Sequence, residues 1–316
     1  MSAVREETAM NGKWKGNLIL LLTALIWGAA FVAQSAGMEY VEPLTYNGVR
    51  TLLGGLVLLP VILLLDRLSP ERRGLSPEKR RAIRKNSAVG GVCCGVLLCV
   101  ASSLQQYGLC MTTAGKAGFI TALYIVIVPF LGVFFHQKIP AKMWLCVLLA
   151  VLGFYLLCVK EGFSVSLGDW LVLGCAVVFS LHILAVDHFT AREVDGVRMA
   201  CIQFLTAGVL TLIGAFCTET PEWSGIFAAR GTILYAGVMS CGVGYTLQIL
   251  GQRRTDPTSA TLLMSLESVF AAVFGWLFLR ETLTAKEWVG CILVFAAVLL
   301  AQLPWPRPKR SQTPHS

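Results

Sequence analysis

Charge is scarce in this chain: Asp, Glu, Lys and Arg make up 14% of its 316 residues against 56% for the apolar types, and mean hydropathy is +0.70. A soluble core cannot bury that much apolar surface, so the composition excludes a soluble globular protein and puts the chain in a bilayer. Catalytic motifs are missing as well. Without a Walker loop, ATP-driven transport by this chain alone has no support, and without HExxH or GxSxG an intramembrane protease or lipase lacks its chemistry. The eleven cysteines include the neighbours Cys93 and Cys94 but no paired CxxC modules. Most lie in apolar runs and read as small packing residues rather than metal ligands. No catalytic residue, resident metal or cofactor is expected. The net charge of +8 finds no soluble domain that would bind nucleic acid, and anionic lipid headgroups are its natural neighbours.

What the sequence does contain is a series of apolar runs, ten of them long enough to span about 30 Å of hydrocarbon. They cover 17–37, 44–65, 88–108, 117–135, 142–160, 169–189, 199–218, 232–251, 260–279 and 288–303. The first is about 21 residues long, and a second follows after only six, which argues against a cleavable signal peptide. Basic residues set the orientation. With the N-terminus cytoplasmic, the inner segments hold 20 of the 26 Lys and Arg, the outer loops hold 5, and Arg50 falls inside the second span. The segment 66–87 is decisive, because Arg67, Arg72, Arg73, Lys79, Arg80, Arg81, Arg84 and Lys85 there face three acids.

An internal repeat divides the chain. Leu104, Gln105 and Gly108 recur as Leu247, Gln248 and Gly251, and Ala141, Lys142 and Trp144 recur as Ala285, Lys286 and Trp288, at offsets of 143 and 144. Arg50 to Gly55 resembles Gln203 to Gly208 at offset 153. Each half holds five spans, an odd number, so the second half runs through the membrane inverted. Charge agrees: the basic segment after span 2 is internal, whereas its counterpart after span 7, with Glu219, Glu222 and Arg230, is external. The expected organisation is an all-α integral membrane protein of ten helices. It comprises a cytoplasmic tail (1–16), a first five-helix repeat (17–160), an inverted second repeat (161–303) and a cytoplasmic C-terminal tail (304–316). Such inverted repeats place a substrate site near the midplane, where the halves meet.

Intramembrane charges then nominate the site. Glu267 lies within the apolar run 260–279, where a carboxylate costs about 2.5–3.5 kcal/mol to insert and marks a substrate or proton pathway by default. It can bind a substrate amine, pair with a cation or carry a proton; the competing role is a hydrogen-bonded structural acid. Its repeat mate at offset 143 is Tyr124, and the two are expected to face one cavity. Arg50, whose guanidinium cannot be neutralised, can bind a substrate carboxylate or snorkel to the outer interface. Lys116, flanked by Gly115 and Gly118 before span 4, is a second cation for an anionic group or an interfacial anchor. His182 in span 6 is the repeat mate of Ala30 and can move protons near neutrality, while Asp187 lies nearer the cytoplasmic end of that span. Trp27, Gln105, Gln106, Tyr245 and Gln248 offer aromatic walls and neutral hydrogen-bonding groups suited to an amphipathic metabolite. Pro129 removes a backbone donor in span 4 and is a candidate gating hinge, or a static bend. Ser87, Gly91 and Gly95 form a small-residue stripe for close helix approach, within the chain in the first instance and between two chains of a homodimer in the second.

Across residues 17–303 the chain resembles the EamA family of the drug/metabolite transporter superfamily. The resemblance rests on Trp27 to Phe31, Arg50, Thr112 to Tyr124, Ser265 to Ala272, and Arg280, Glu281 and Gly290. It implies ten helices, both termini cytoplasmic, a cavity lined mainly by spans 1, 3, 4, 6, 8 and 9, and transport of small metabolites, often export of amino acids or related compounds. Two positions depart from the family pattern. Ser268 stands where a proline commonly follows the span 9 glutamate, which puts that helix's kink in question, and Gln137 stands where the first half often has an acid. The expected protein is a multi-pass inner-membrane secondary transporter working by alternating access, with a small-molecule substrate and the bilayer as its partners. The alternative is a receptor or assembly partner that keeps the fold without turnover.

Overall fold

The computed structural model describes residues 2–68, 74–111, 117, 120–134, 140–158, 166–279 and 284–302. These are helical nearly throughout, and no strand occurs among the described residues. The main helices are α1 (Ser2–Gly37), α2 (Pro43–Leu68), α3 (Pro77–Met111), α4 (Tyr124–Phe134), α5 (Ala141–Cys158), α6 (Leu167–Thr190), α7 (Gly196–Thr218), α8 (Arg230–Gln252), α9 (Pro257–Met264), α10 (Leu266–Leu279) and α11 (Ala285–Gln302), with a short helix over Trp223–Ala228 between α7 and α8. Six of them, α1, α2, α3, α6, α7 and α8, contain stretches long and apolar enough to cross a membrane. Shorter apolar helices cover Ile120–Val133, Ala141–Gly153 and Trp288–Leu300. The chain is a multi-pass membrane protein.

Several helix ends depart from the hydropathy reading, for local reasons. α1 begins at Ser2, so the segment read as a tail continues the first span as helix. α3 begins at Pro77, inside the basic segment. Proline suits the first turn of a helix because its missing N–H would be unpaired there anyway, and Ser76 accepts from the backbone N–H of Lys79 at 3.3 Å. Ser166 and Asp169 form a reciprocal capping box at the start of α6, with bonds of 3.2 and 2.7 Å.

The ninth apolar run is divided. α9 ends at Met264 and α10 starts at Leu266, with the Ser268 N–H donating to Ser265 O at 3.2 Å in a tightened turn. Ser265 Oγ donates back to Leu262 O at 2.8 Å and Thr261 Oγ1 to Thr258 O at 2.8 Å. Such back-bonding competes with the regular ladder and bends helices without proline, so the chain turns just before Glu267 although Ser268 replaces a proline.

Packing follows small residues. α2 lies along α7, α3 along both α6 and α7, α5 along α11, and α1 against α8 and α10. The stripe Ser87, Gly91 and Gly95 is used within the chain: a Cβ on Gly91 would sit 2.9 Å from Met199 O, one on Gly95 2.7 Å from Gln203 O, and Ser87 Oγ accepts from the Asp195 N–H at 2.9 Å. The α2–α7 pair is also tied at both ends. On one side Arg198 of α7 pairs with Asp66 of α2 and with Asp195. On the other, the Glu219 carboxylate accepts from the N–H groups of Leu44 and Thr45 and from Thr45 Oγ1, each at 2.7 Å. An anion there satisfies orphan donors and meets the positive end of α2's dipole. Glu219→Ala is accordingly expected to destabilise the protein by about 1–2 kcal/mol, read as a lowered thermal midpoint in detergent; an unchanged midpoint would show that water replaces the cap freely.

Candidate functional site

Two large apolar clusters and two smaller ones make up the interior of the described residues, and the two large ones frame the site. One joins residues of α1, α4, α5, α6, α9, α10 and α11, and the other joins α2, α3, α6, α7 and α8. Between them is a cavity of about 60 Å³, room for a few water molecules at about 10–15 Å³ each. Its lining includes Trp27 and Gln34 of α1, Arg50 of α2, Ser102 and Gln105 of α3, Tyr124 of α4, His182 of α6, Tyr245 and Gln248 of α8, and Glu267 of α10.

Glu267 is 7% exposed, and Tyr124 Oη donates to its Oε1 at 3.1 Å. The carboxylate is where it is because α10 begins one residue earlier, after the Ser265 turn, and because Gly28 of α1 lets the two helices touch: a Cβ there would stand 2.9 Å from Glu267 O. Trp27, the residue before Gly28, lines the cavity, and its Nε1–H donates to Ser240 O at 3.3 Å. That carbonyl belongs to a π-helical stretch of α8, Tyr235–Tyr245, in which Thr23 Oγ1 also reaches Gly244 O at 3.4 Å. π stretches are rare and frequent at functional sites. Trp27 and Tyr245 pack with ring centroids 4.6 Å apart, and His182 meets Tyr245 edge-on at 6.1 Å.

His182 is fully buried. Its Nε2 lies 3.2 Å from Gln203 Oε1, while Nδ1 has no protein partner. Arg50 is 6% exposed; its Nε–H and an Nη2–H both donate to Asn47 Oδ1, at 3.1 and 2.9 Å. Asn47 Nδ2 in turn donates to Ser102 Oγ at 2.8 Å, and Ser102 Oγ to Leu98 O at 2.7 Å. Gln105 Nε2 donates to Thr121 Oγ1 at 3.4 Å.

Seven of the sequence-nominated residues other than Glu267 thus line one cavity: Tyr124, Arg50, His182, Trp27, Gln105, Tyr245 and Gln248. Two others do not. Gln106 is fully buried but follows Gln105 by about 100° around α3, and its Nε2 reaches Met38 Sδ at 3.4 Å instead. Asp187 is half-buried, five residues beyond His182 in α6; that spacing moves it about 7.5 Å along the axis and onto another face. Lys116 lies outside the described residues. Pro129 is inside α4, within its second turn. Sequence reasoning missed Asn47, Ser102 and Gln34. Asn47 had a signal, a carboxamide three residues before a buried arginine on one helix face; Ser102, from another helix, had none. Among the described residues no group of three His, Cys, Asp or Glu converges as a metal site would need.

Comparison with known proteins identifies the lineage. The EamA-like transporter family matches the chain twice, over residues 14–159 and 166–303. An uncharacterized transporter of Archaeoglobus fulgidus is 29% identical over 292 residues, covering 91% of this chain and 85% of that protein. The uncharacterized inner membrane transporter YedA of Escherichia coli K12 is 26% identical over 289 residues, 87% of each chain. A solved crystal structure superposes with a TM-score of 0.72 at 17% identity, covering 91% of this chain and 96% of the other.

Proposed function

The chain belongs to the EamA-like transporter family and is a membrane transporter; from that premise we propose that it is a secondary exporter of amino acids or related small metabolites, working by alternating access between two inverted five-helix halves. The observation that carries this reading is the buried carboxylate of Glu267, held by Tyr124 on the wall of a cavity that gathers several polar side chains between two apolar clusters.

Several features support the inverted arrangement. Counting α9 with α10 as one span of about 33 Å makes ten spans, 17–160 forming one half and 161–303 the other. Under the repeat, α2 and α7 are mates that pack on each other, as do α5 and α11, and the α3–α6 contact has its mate in α8–α1. Tyr124 and Glu267, bonded to each other, are 143 residues apart, the repeat offset read from sequence. The family's two matched stretches fall one in each proposed half. Basic residues favour both termini on the cytoplasmic side of the plasma membrane, which is the inner membrane in a cell such as that of the relative YedA.

Halves that rock about this seam would expose Glu267 to each side in turn. Glu267 binds a substrate amine and, with His182, is a candidate to carry a coupling proton; Asp187, nearer the helix end, would serve as an exit relay. Pro129 supplies a hinge in α4. Counterflow in proteoliposomes preloaded with a panel of amino acids and amines tests the carrier reading. Exchange of at least one compound is expected, with a rate that responds to an imposed pH gradient. Indifference to the gradient would remove proton coupling, and binding without any exchange would favour a receptor.

A further inference from the structure

Arg50 carries a charge that no described residue near it cancels. Its guanidinium is always ionised, it is 6% exposed, and a buried unpaired charge is among the costliest features a protein can carry. Yet among the described residues no carboxylate stands within ion-pair distance. The cavity's one lining carboxyl among the described residues, that of Glu267, is bonded to Tyr124 instead. The partners that Arg50 does have are neutral: the Tyr46 ring, whose centroid lies 5.9 Å from the guanidinium carbon, and Asn47, fully buried, which accepts two of its five N–H groups on a single oxygen. Asn47 is fixed in turn by Ser102, so the fork is aimed by a two-step relay anchored on α3. Both Arg50 and Ser102 line the cavity.

We propose that Asn47 is a positioning and selectivity residue that holds Arg50 as the receptor for a substrate carboxylate, and that the transported molecule therefore bears one. A carboxylate in place of the Asn47 carboxamide would have the same shape and would satisfy the guanidinium permanently. The carboxamide orients Arg50 and leaves its charge for the cargo. The charge favours a group with a single negative charge: one guanidinium balances one, and a phosphate dianion would exceed it. Neutral acceptors complete the complement: Gln34 Oε1 and Gln248 Oε1, on residues that also line the cavity, are buried without a protein partner. With Glu267 they suit N–H groups at the other end of a zwitterion. The inference rests on the transporter reading, and deepens it by naming the residue that keeps Arg50 open for the cargo's carboxylate.

The test compares α-amino acids with the amines left when their carboxyl is removed, leucine with isoamylamine and phenylalanine with phenethylamine, by counterflow and by ligand-induced thermal shift in detergent. The parent chain is expected to take the acids and discriminate against the amines. Asn47→Asp is expected to keep or raise the ligand-free thermal midpoint, because the new acid pairs with Arg50, and to raise KM for the acids about 10- to 100-fold with kcat much less affected. Asn47→Ala, which frees the fork without filling it, is expected to raise KM by less. An Asn47→Asp chain that handles acids with the parent's KM, or a parent that takes the amines equally well, would overturn the proposal. If the parent exchanges nothing, the thermal shift separates the two ideas. Stabilisation by the acids that disappears in Asn47→Asp upholds the carboxylate receptor while the carrier reading falls, and no stabilisation by any acid overturns the receptor itself.

Discussion

Glu267→Gln is expected to lower the apparent affinity for an amine-bearing substrate about 10- to 100-fold, the loss of a charge-assisted hydrogen bond in a desolvated site. The substitution is close to isosteric, and the amide oxygen can still accept from Tyr124 Oη, which donates to Oε1 at 3.1 Å in the parent. The fold should therefore persist while the charge disappears. The measurement is counterflow as a function of substrate concentration and of pH on each side of the membrane. If Glu267 also carries the coupling proton, the pH response vanishes together with the affinity, because an amide has no proton to exchange in this range. Tyr124→Phe removes one hydrogen bond and no charge, and is expected to cost about fivefold, in keeping with a net worth near 1 kcal/mol for such a bond. Exchange that survives Glu267→Gln with parental kinetics would make the carboxylate a structural group and move the substrate site toward Arg50.

How much of this was legible beforehand depends on whether the cause was local. The pairing of Tyr124 with Glu267 could be read from the repeat offset alone, since it requires only that equivalent spans meet at the seam. Arg50 was visible as a charge among apolar residues. Its lack of a carboxylate partner among the described residues was not, because that depends on what the other helices bring to the cavity. The same holds for Glu219, whose capping of Leu44 and Thr45 joins residues about 175 positions apart. Apolar length marked the spans but missed their ends: α3 starts at Pro77 because Ser76 and proline begin helices well, even in a basic segment. The turn at Ser265 and the π stretch of α8 lack a proline to announce them. They arise from hydroxyl back-bonding and from α1 side chains that occupy the freed carbonyls, and a hydropathy pattern carries no trace of either.

Gly28→Ala should be among the most damaging single-methyl changes in the molecule. A Cβ at Gly28 would lie 2.5 Å from Phe270 Cβ, 2.9 Å from the Ala271 N and 2.9 Å from Glu267 O. Two of these are backbone atoms of α10 and the third is fixed to it, so no side-chain rotation relieves the contact. α1 and α10 must separate instead, and overpacking of this kind costs about 1–3 kcal/mol. Gly231→Ala is the matched control: no atom lies within 4 Å of its Cβ position, and alanine in a helix gains about 0.5–1 kcal/mol over glycine. The two variants should therefore shift the thermal midpoint in opposite directions. Function sharpens the comparison, because Trp27 and Glu267 face the cavity from either side of this crossing. A displaced α10 carries the carboxylate away from Tyr124, so any folded Gly28→Ala protein should show a raised KM in counterflow as well as a lowered midpoint. A variant as stable and as active as the parent would mean that α1 and α10 do not hold this close approach through the transport cycle.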